Sequence, residues 1–243
     1  MAINTARGMD YLQFIPSLCA QREVNTYLEV GVQSGVHLAN LAVDTAFGVD
    51  PDFILNTDPT RGKRVLHLHR MTSDAFFRQH AEDVRRAGLF DFAFLDGLHL
   101  FEYLLRDFYN TESLSKPSSL ITLHDCLPMD GEMIERVNNY AGRSPGPYAA
   151  AWTGDVWKVV LILEEYRPDL SVVLTDCAPT GLVCVSGLDP NSTVLKDRYL
   201  DIVAKYKQMP NDKDSLADFY AQRQIVSGAE IISNFNQSLY FRS

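Results

Sequence analysis

The amino-acid sequence predicts an α/β fold in which helices cover both faces of a mostly parallel, doubly wound sheet. Short runs of β-branched and aromatic residues alternate with segments of helical periodicity, and the runs are apolar throughout, as in strands buried on both faces. The chain has 243 residues, of which 46% are hydrophobic and 22% charged, and this composition excludes disorder, collagen and coiled coil. We expect one domain spanning residues 1–243.

The first half of the chain predicts one leading helix and then a regular alternation. Apolar residues return at helical spacing over residues 8–22, which indicates an amphipathic helix. Five strands and three helices follow, with the strands at 26–32, 45–50, 64–69, 90–96 and 118–125 and the helices at 34–43, 74–87 and 100–109. Buried strands separated by helices imply a mostly parallel sheet that is covered on both faces.

The second half is less regular. Its pattern predicts a helix at 156–166, a closing hairpin-like strand pair at 170–176 and 181–187, and helices at 191–207 and 214–232. The predicted core therefore covers residues 24–187, and a helical extension covers 190–243.

Two irregular segments, 51–63 and 142–154, are expected to overhang the sheet. The second is either a binding lid or a plain surface loop. Tyr148, Trp152 and Trp157, in or beside it, either stack on a ligand or pack as ordinary large apolar side chains.

Charge and cysteine usage exclude several classes of protein. The chain has 22 basic and 31 acidic residues, a formal charge of -9 and a pI near 5.1, which argues against nucleic-acid binding and against an anionic membrane surface. The sequence shows no apolar run long enough for membrane insertion and no signal-like start. The four cysteines form no C-x-x-C motif, so we expect a cytoplasmic protein without a zinc ribbon.

Polar residues gather at the predicted strand ends. In an open parallel sheet the ligand lies outside the carboxyl ends of the strands, near the point where the strand order reverses. The residues at those ends are Glu29, Gly31, Asp50, Ser73, Asp74, Asp96, His99, His124 and Asp125.

The first strand ends in the sequence EVGVQSG, which is typical of a nucleoside site. Gly31 allows a tight turn and a close backbone approach, and Asp50, 19 positions later, is placed to accept hydrogen bonds from ribose hydroxyls. Gln33 stands where a dinucleotide site has its second glycine, and Glu29 would repel phosphate. These residues favour a cationic nucleoside without phosphates and argue against a nicotinamide dehydrogenase. No P-loop motif occurs.

Four motifs in order, EVGVQSG, GVD, MTSDAFF and FDFAFLDGLH, resemble those of class I S-adenosylmethionine-dependent methyltransferases. The resemblance implies a seven-stranded Rossmann-like sheet with a reversed last strand and S-adenosylmethionine as cofactor. It further implies that the methionine part is lined by Glu29, Gly31 and Gly35, that the ribose is held by Asp50, that Ser73 and Asp74 lie by the adenine, and that Asp96 borders the cofactor. Asp74 is equally suited to cap the following helix.

Within that class, DGLH at 96–99 and LHD at 123–125 resemble bacterial metal-dependent O-methyltransferases that modify sugars and natural products. This resemblance implies that Asp96, His124 and Asp125 bind a divalent metal, Mg²⁺ or Mn²⁺, and that His99 is the general base. His124 departs from the family pattern, which has a carboxylate there, and an imidazole ligand shifts preference toward Mn²⁺, Fe²⁺ or Zn²⁺. The alternative is that the two aspartates orient loops and His99 caps the next helix.

The expected reaction is methyl transfer to a hydroxyl of a sugar, glycan or secondary metabolite. An alcohol is protonated at neutral pH, so attack on a sulfonium methyl needs a base, a Lewis acid or both. Metal-independent N- or O-methylation by His99 alone and a non-catalytic cofactor-binding module are the alternatives. Exposed-looking aromatics in residues 218–243 suggest a homo-oligomer contact. Four further histidines are interpreted as structural or solvent-facing: His37, His67, His69 and His80.

Overall fold

The computed structural model describes residues 6–146, 148–234 and 236–242. Within those ranges the chain forms one sheet of eight strands: β1 (Thr26–Val30), β2 (Val43–Val49), β3 (Lys63–His69), β4 (Phe90–Leu95), β5 (Ser115–His124), β6 (Ser171–Thr175), β7 (Leu182–Ser186) and β8 (Ile225–Val226). The helices over the same ranges are α1 (Tyr11–Gln21), α2 (Val36–Ala39), α3 (Ser73–Ala87), α4 (Phe101–Glu112), α5 (Lys158–Tyr166), α6 (Val194–Asp197), α7 (Tyr199–Gln208), α8 (Lys213–Ala221) and α9 (Gly228–Ser233). Short 3₁₀ turns lie at Tyr140–Gly142 and Gln237–Leu239.

The strand order is β3-β2-β1-β4-β5-β7-β6-β8. The pairs from β3 through β5 are parallel, and β7 runs antiparallel to both β5 and β6. The chain moves outward from β1 to β3 and then returns to the other side of β1 with β4, so the order reverses between β1 and β4. The predicted doubly wound, mostly parallel sheet is confirmed, including its hairpin-like closing pair.

Two expectations about the sheet and its last helix are corrected. The sheet has one strand more than the seven expected, because β8 pairs in parallel with β6. This strand also interrupts the helix predicted at 214–232, which is instead α8 and α9. The β-branched pair Ile225 and Val226 hydrogen-bonds to the open edge of β6 rather than continuing a helix.

The core lies on both faces of the sheet, because successive side chains of a strand point to opposite faces. Leu28 and Val30 of β1 pack with α3, α4 and α5, whereas Tyr27 packs on the side of α1. Trp157 is fully buried, and its indole Nε1 donates to Asn211 Oδ1 at 3.0 Å. Trp157 is therefore a core residue and does not stack on a ligand.

The aromatic side chains near the C-terminus pack inward. Phe219 is buried against Trp157 and Phe241 is buried in the α1-side core, so these two residues are not the exposed aromatics that suggested an oligomer contact. Oligomerisation itself stays a prediction. All four cysteines are buried free thiols. In the described ranges, every helix is too short or too polar to traverse a lipid bilayer.

Helix α1 begins beside the closing hairpin. The Asp10 carboxylate caps it by accepting from the Leu12 amide at 2.8 Å, and the Tyr11 amide donates to the Ala178 carbonyl at 3.1 Å. This docking brings the Tyr11 ring over the carboxyl ends of the central strands.

Candidate active site

A cavity of about 650 Å³ opens outside the carboxyl ends of β1, β2, β4 and β5. This is where an open α/β sheet binds ligands, and the volume suits a small molecule. Of the predicted site residues, those that line it are Gly31, Asp50, Ser73, Asp74, Asp96, His99, His124 and Asp125. Two predicted cofactor residues, Glu29 and Gly35, do not line it.

Gly31 forms the floor of the cavity where β1 ends. Its φ is +91°, a conformation that favours glycine, and its amide donates to the Val49 carbonyl at 2.9 Å. A Cβ at this position would lie 1.8 Å from the carbonyl oxygen of Asp96. The close backbone approach expected at Gly31 is therefore present, and it is made to the end of β4.

Asp50 is held by two backbone amides at the end of β2. Its Oδ2 accepts from the Gln33 amide at 2.8 Å and its Oδ1 accepts from the Asp52 amide at 2.7 Å. Each carboxylate oxygen keeps a second lone pair. The carboxylate is therefore oriented and still able to accept from two neighbouring hydroxyls.

Glu29 lies beneath the cavity rather than in its wall. It is 1% exposed, and its Oε2 lies 2.7 Å from His37 Nδ1 and 3.3 Å from the Tyr27 hydroxyl, which donates to it. Alternation along β1 directs Glu29 to the same side as Tyr27, toward α1. His37 also contacts the Tyr27 hydroxyl at 3.0 Å and is buried, so its interpretation as a structural histidine is confirmed.

Gly35 provides the turn at the start of α2 and lies against the segment 51–63. It precedes α2 with a φ of +77°, and a Cβ there would lie 2.8 Å from Leu55 Cδ2. Its contribution is backbone geometry beside the segment 51–63, not a wall of the cavity.

The start of α3 supplies Ser73 and Asp74. Thr72 caps this helix, its hydroxyl accepting from the Ala75 amide at 3.3 Å, so the capping alternative for Asp74 is wrong. Both Asp74 oxygens instead accept from Arg106 of α4, from Nε and Nη2, at 2.8 Å each. Asp74 thus links α3 to α4 at the cavity edge.

Two acids and two imidazoles meet at the ends of β4 and β5. Asp96 Oδ1 lies 3.1 Å from His124 Nδ1 and 3.5 Å from His99 Nε2, and Asp125 Oδ2 lies 3.2 Å from His99 Nδ1. The Thr180 hydroxyl donates to Asp125 Oδ1 at 2.5 Å. The four residues predicted at the ends of these two strands therefore lie in one cluster.

The acids and imidazoles of this cluster shift one another's pKa values. Burial lowers the pKa of both histidines, but Asp96 and Asp125 outweigh it and raise the pKa of His99 and of His124 to about 9. Burial raises the pKa of Asp96, but the two imidazoles outweigh it and hold that pKa well below its usual range. Without a bound cation, two imidazolium rings therefore lie against the two aspartates.

The donor set fits a divalent cation. One donor atom from each of Asp96, His124 and Asp125 lies within 4.8 Å of the other two, which is the proximity a three-donor site requires. Two carboxylates and one imidazole suit Mn²⁺, Fe²⁺ or Zn²⁺ better than Mg²⁺, which prefers oxygen.

His99 does not cap α4. The helix amide of Phe101 donates instead to Asp155 Oδ1 at 3.1 Å, so the capping alternative for His99 is wrong. His99 Nδ1 lies 2.7 Å from the Trp152 carbonyl, and the Trp152 ring stacks on the imidazole at a centroid distance of 5.0 Å. Of the three aromatics predicted for the lid, Trp152 is the one in contact with this cluster.

Sequence reasoning missed several residues of the site. Tyr11 lies with its ring 4.7 Å from that of His124, and Asp107 of α4 lines the cavity beside Tyr103. Tyr103 and Asp107 are four residues apart, so they share one face of a helix, and this spacing was the available signal. No pattern in the sequence relates Tyr11 to His124.

Residues 28–126 match a family model described as a methyltransferase domain. No protein of curated function matches the sequence.

Solved structures resemble the chain at low identity. A caffeoyl-CoA O-methyltransferase homologue from Staphylococcus aureus shares 12% identity over 72% of this chain and 81% of its own, with a TM-score of 0.48. The methyltransferase PaMTH1 from Podospora anserina shares 16% over 73% and 78%, at 0.49, and the O-methyltransferase TomG from Streptomyces achromogenes shares 16% over 71% and 78%, at 0.47. Likeness at this level carries no argument about substrate.

Residues 28–126 are therefore similar to a methyltransferase domain, and the cavity lies where the doubly wound sheet reverses its strand order.

Proposed function

We propose that this chain is an S-adenosylmethionine-dependent methyltransferase that acts on a hydroxyl of a sugar, glycan or secondary metabolite, with a divalent metal bound by Asp96, His124 and Asp125. The observation that carries the proposal is the convergence of those three residues on His99 at one end of the cofactor cavity. A base and a Lewis-acid site side by side are what methylation of an alcohol requires.

Different residues in and around the cavity have different roles in the proposed reaction. Asp50, held by two amides, accepts the ribose hydroxyls, and Gly31 gives the cofactor a flat floor between β1 and β4. Gly35 and Glu29 support this wall from outside the cavity through α2 and His37.

His99 is the proposed general base. When its Nδ1–H donates to the Trp152 carbonyl, Nε2 is the atom that takes the acceptor's proton. Trp152 stacked on the ring restricts its rotation. A bound metal would lower the pKa of an acceptor hydroxyl, so that His99 removes a proton that is already weakly held.

A second candidate, metal-independent methylation, is favoured by one observation. His124 already pairs with Asp96 at 3.1 Å, so an imidazolium at this position balances part of the negative charge that a metal would neutralise. In that case His99 acts as base without Lewis-acid help, and because its pKa is raised to about 9, the reaction rate should increase as the pH rises toward that value.

The test is a mass-spectrometric assay of candidate hydroxyl compounds with S-adenosylmethionine, run before and after exhaustive chelation. A gain of one methyl group on an acceptor that is lost on chelation and restored by Mn²⁺ supports the metal-assisted reaction. Turnover that survives chelation selects the metal-independent candidate. Cofactor binding without methylation of any oxygen or nitrogen acceptor would indicate that the chain is a non-catalytic cofactor-binding module.

A further inference from the structure

Three histidines outside the cofactor cavity gather between the edge strand β3 and helix α3: His67, His69 and His80. His67 and His69 are two residues apart on β3, so their side chains point to the same face of the sheet, where His69 contacts Phe76 of α3 at a ring-centroid distance of 4.9 Å. The ring centroids of His69 and His80 are 4.2 Å apart. One strand and one helix thus bring two imidazoles within reach of a single ion.

The imidazole of His69 has a polar atom without a partner. Within the described residues, its Nε2 is buried and forms no hydrogen bond. Burial, together with the neighbouring imidazoles of His80 and His67, lowers the pKa of His69 to about 4. The ring is therefore neutral at pH 7, and one of its nitrogens has a lone pair available to a cation. A buried polar atom without a partner is costly, and a bound ligand would remove that cost.

The imidazole of His80 is oriented by Asp83. The Oδ2 atom of Asp83 lies 2.9 Å from His80 Nδ1, and this hydrogen bond is the main reason why the pKa of Asp83 lies below its usual range. An ionised carboxylate only accepts, so Nδ1 of His80 carries the proton and Nε2 of the neutral ring keeps its lone pair. Metal-binding histidines in proteins usually donate their other ring N–H to a carboxylate or carbonyl in this way.

The separation of the His69 and His80 rings is close to that of two imidazoles on one cation. Metal–nitrogen bonds of about 2.1 Å place the two ring centres about 5 Å apart on a tetrahedral ion. The observed 4.2 Å differs from this by about 1 Å, so small side-chain rotations are sufficient. His67 is less well placed, because its ring is 6.4 Å from that of His69 and stacks on Phe47 at 4.6 Å.

We propose that His69 and His80 form a second metal site, which binds Zn²⁺ and joins the edge strand β3 to helix α3. Imidazole nitrogen suits Zn²⁺, whereas Mg²⁺ and Ca²⁺ prefer oxygen ligands. Water completes the coordination, since the His80 side chain is 26% exposed. This site is distinct from the cluster of Asp96, His124 and Asp125, and it does not depend on the proposed reaction.

The experiment is a Zn²⁺ titration of the full chain, by calorimetry and native mass spectrometry, in the wild type and in Asp96→Asn, which lacks one ligand of the other cluster. Asp96→Asn should still bind Zn²⁺ at the second site. Adding His80→Gln or His69→Gln should remove one equivalent of Zn²⁺ from either background, because a lost ligand costs more than the roughly 10- to 100-fold that a lost outer hydrogen-bond partner costs. His67→Gln should leave the affinity within about threefold.

Asp83→Ala tests the orienting hydrogen bond. It should weaken Zn²⁺ binding at this site by about 10- to 100-fold, because the His80 ring loses the carboxylate that fixes it. Glu82→Ala is the matched control, since Glu82 is an exposed acid on the same helix that pairs with Arg85. Its Zn²⁺ affinity should equal that of the wild type.

Thermal unfolding gives a second readout, because a cation that binds only the folded state raises the unfolding midpoint. Zn²⁺ should raise the midpoint of Asp96→Asn and leave that of Asp96→Asn with His80→Gln unchanged. His80→Gln changes a partly exposed side chain of a helix, so it decides the question if His69→Gln does not fold. Zn²⁺ stoichiometry and affinity that are the same with and without His80→Gln would overturn the inference, as would a loss in His67→Gln equal to that in His80→Gln.

Discussion

Gly31 at the end of β1 lies directly against the backbone carbonyl of Asp96 at the end of β4, so the floor of the cofactor cavity and the proposed metal ligand share one backbone contact. A side chain at residue 31 has no room, because the obstacle at 1.8 Å is backbone rather than a movable group. The position where the strand order reverses is therefore also the position with the strictest requirement for glycine.

Gly31→Ala is expected to lower the free energy of unfolding by about 3 kcal/mol or more, since it adds a backbone clash to a positive φ. Gly88→Ala is the matched control. Gly88 also has a positive φ, +113°, but a Cβ there meets nothing within 4 Å, so its cost should be only the roughly 1 to 2 kcal/mol of strain. Chemical denaturation measures both. Equal losses of unfolding free energy in the two variants would show that the close contact with the Asp96 carbonyl adds no cost.

Asp50→Ala should weaken S-adenosylhomocysteine binding by about 10- to 100-fold, because two ribose hydroxyls lose their acceptor. Titration calorimetry measures the dissociation constant. Asp44→Ala is the comparison, since that side chain is exposed, pairs with Arg64 on the surface and lies at the other end of β2, away from the cavity. A comparable loss in both variants would indicate a general effect of negative charge and argue against a specific ribose contact.

His99→Gln should reduce the methylation rate by about 10²- to 10⁴-fold while leaving the affinity for S-adenosylhomocysteine within about threefold. The glutamine preserves polarity near Asp96 and Asp125 but cannot take a proton. His80→Gln, on the outer helix α3 and bonded to Asp83, should leave both quantities unchanged. Rates are followed by product mass. If His99→Gln turned over at the wild-type rate, another residue would have to be the base.

His124→Asp is expected to change which cation binds. The wild-type set of one imidazole and two carboxylates should bind Mn²⁺ about tenfold or more tightly than Mg²⁺, and an all-carboxylate set should narrow that ratio. Metal titration monitored by calorimetry, with the Mn²⁺ resonance spectrum as a second readout, measures both constants. An unchanged ratio in the variant would place the cation away from His124.

Asp107→Asn should alter how stability depends on pH. Burial raises the pKa of Asp107 to about 7, whereas an unfolded aspartate has its pKa near 4, so the folded state binds the extra proton between these values. The free energy of unfolding of the wild type should therefore be highest, relative to the variant, below about pH 4. It should fall by up to roughly 4 kcal/mol as the pH rises to about 7 and then level off.

Denaturant titrations from pH 4 to pH 8 provide the test, and Asp218→Asn on the exposed side of α8 serves as the reference. The free energy of unfolding of the wild type minus that of Asp107→Asn should fall as the pH rises, and the corresponding difference for Asp218→Asn should stay constant. A pH-independent gap at residue 107 would mean that the carboxyl has a normal pKa and is better solvated than its burial indicates.

The strand ends were predictable because they depend on local pattern. Asp50, Asp96 and His124 each follow a short apolar run, and the parallel arrangement brings such positions to one edge. The strand pattern is also strong where both faces are buried, so most strand boundaries agree to within a few residues. The exceptions, such as β8, are short segments whose conformation depends on a neighbouring edge.

The positions of the Glu29 and Asp74 carboxylates depended instead on contacts between segments that are far apart in the chain. Glu29 precedes the glycine of the motif, yet its carboxylate is taken by His37 on the far side of β1. Asp74 is likewise taken by Arg106 from another helix. The partners of these two carboxylates depend on how the helices pack, and the local periodicity of the sequence does not specify that packing.

From the sequence alone came the α/β class, the order of its core elements, the nucleoside character of the first strand end and the four residues of the acid–imidazole cluster, because each follows from spacing along the chain and the rule that parallel strands end together. Only the tertiary structure decided that Glu29 faces away from the cavity and that Asp107 faces into it. The reason is that a side chain's direction and its partner depend on how α1, α3 and α4 pack across the sheet, and the residues that meet there are far apart in the chain.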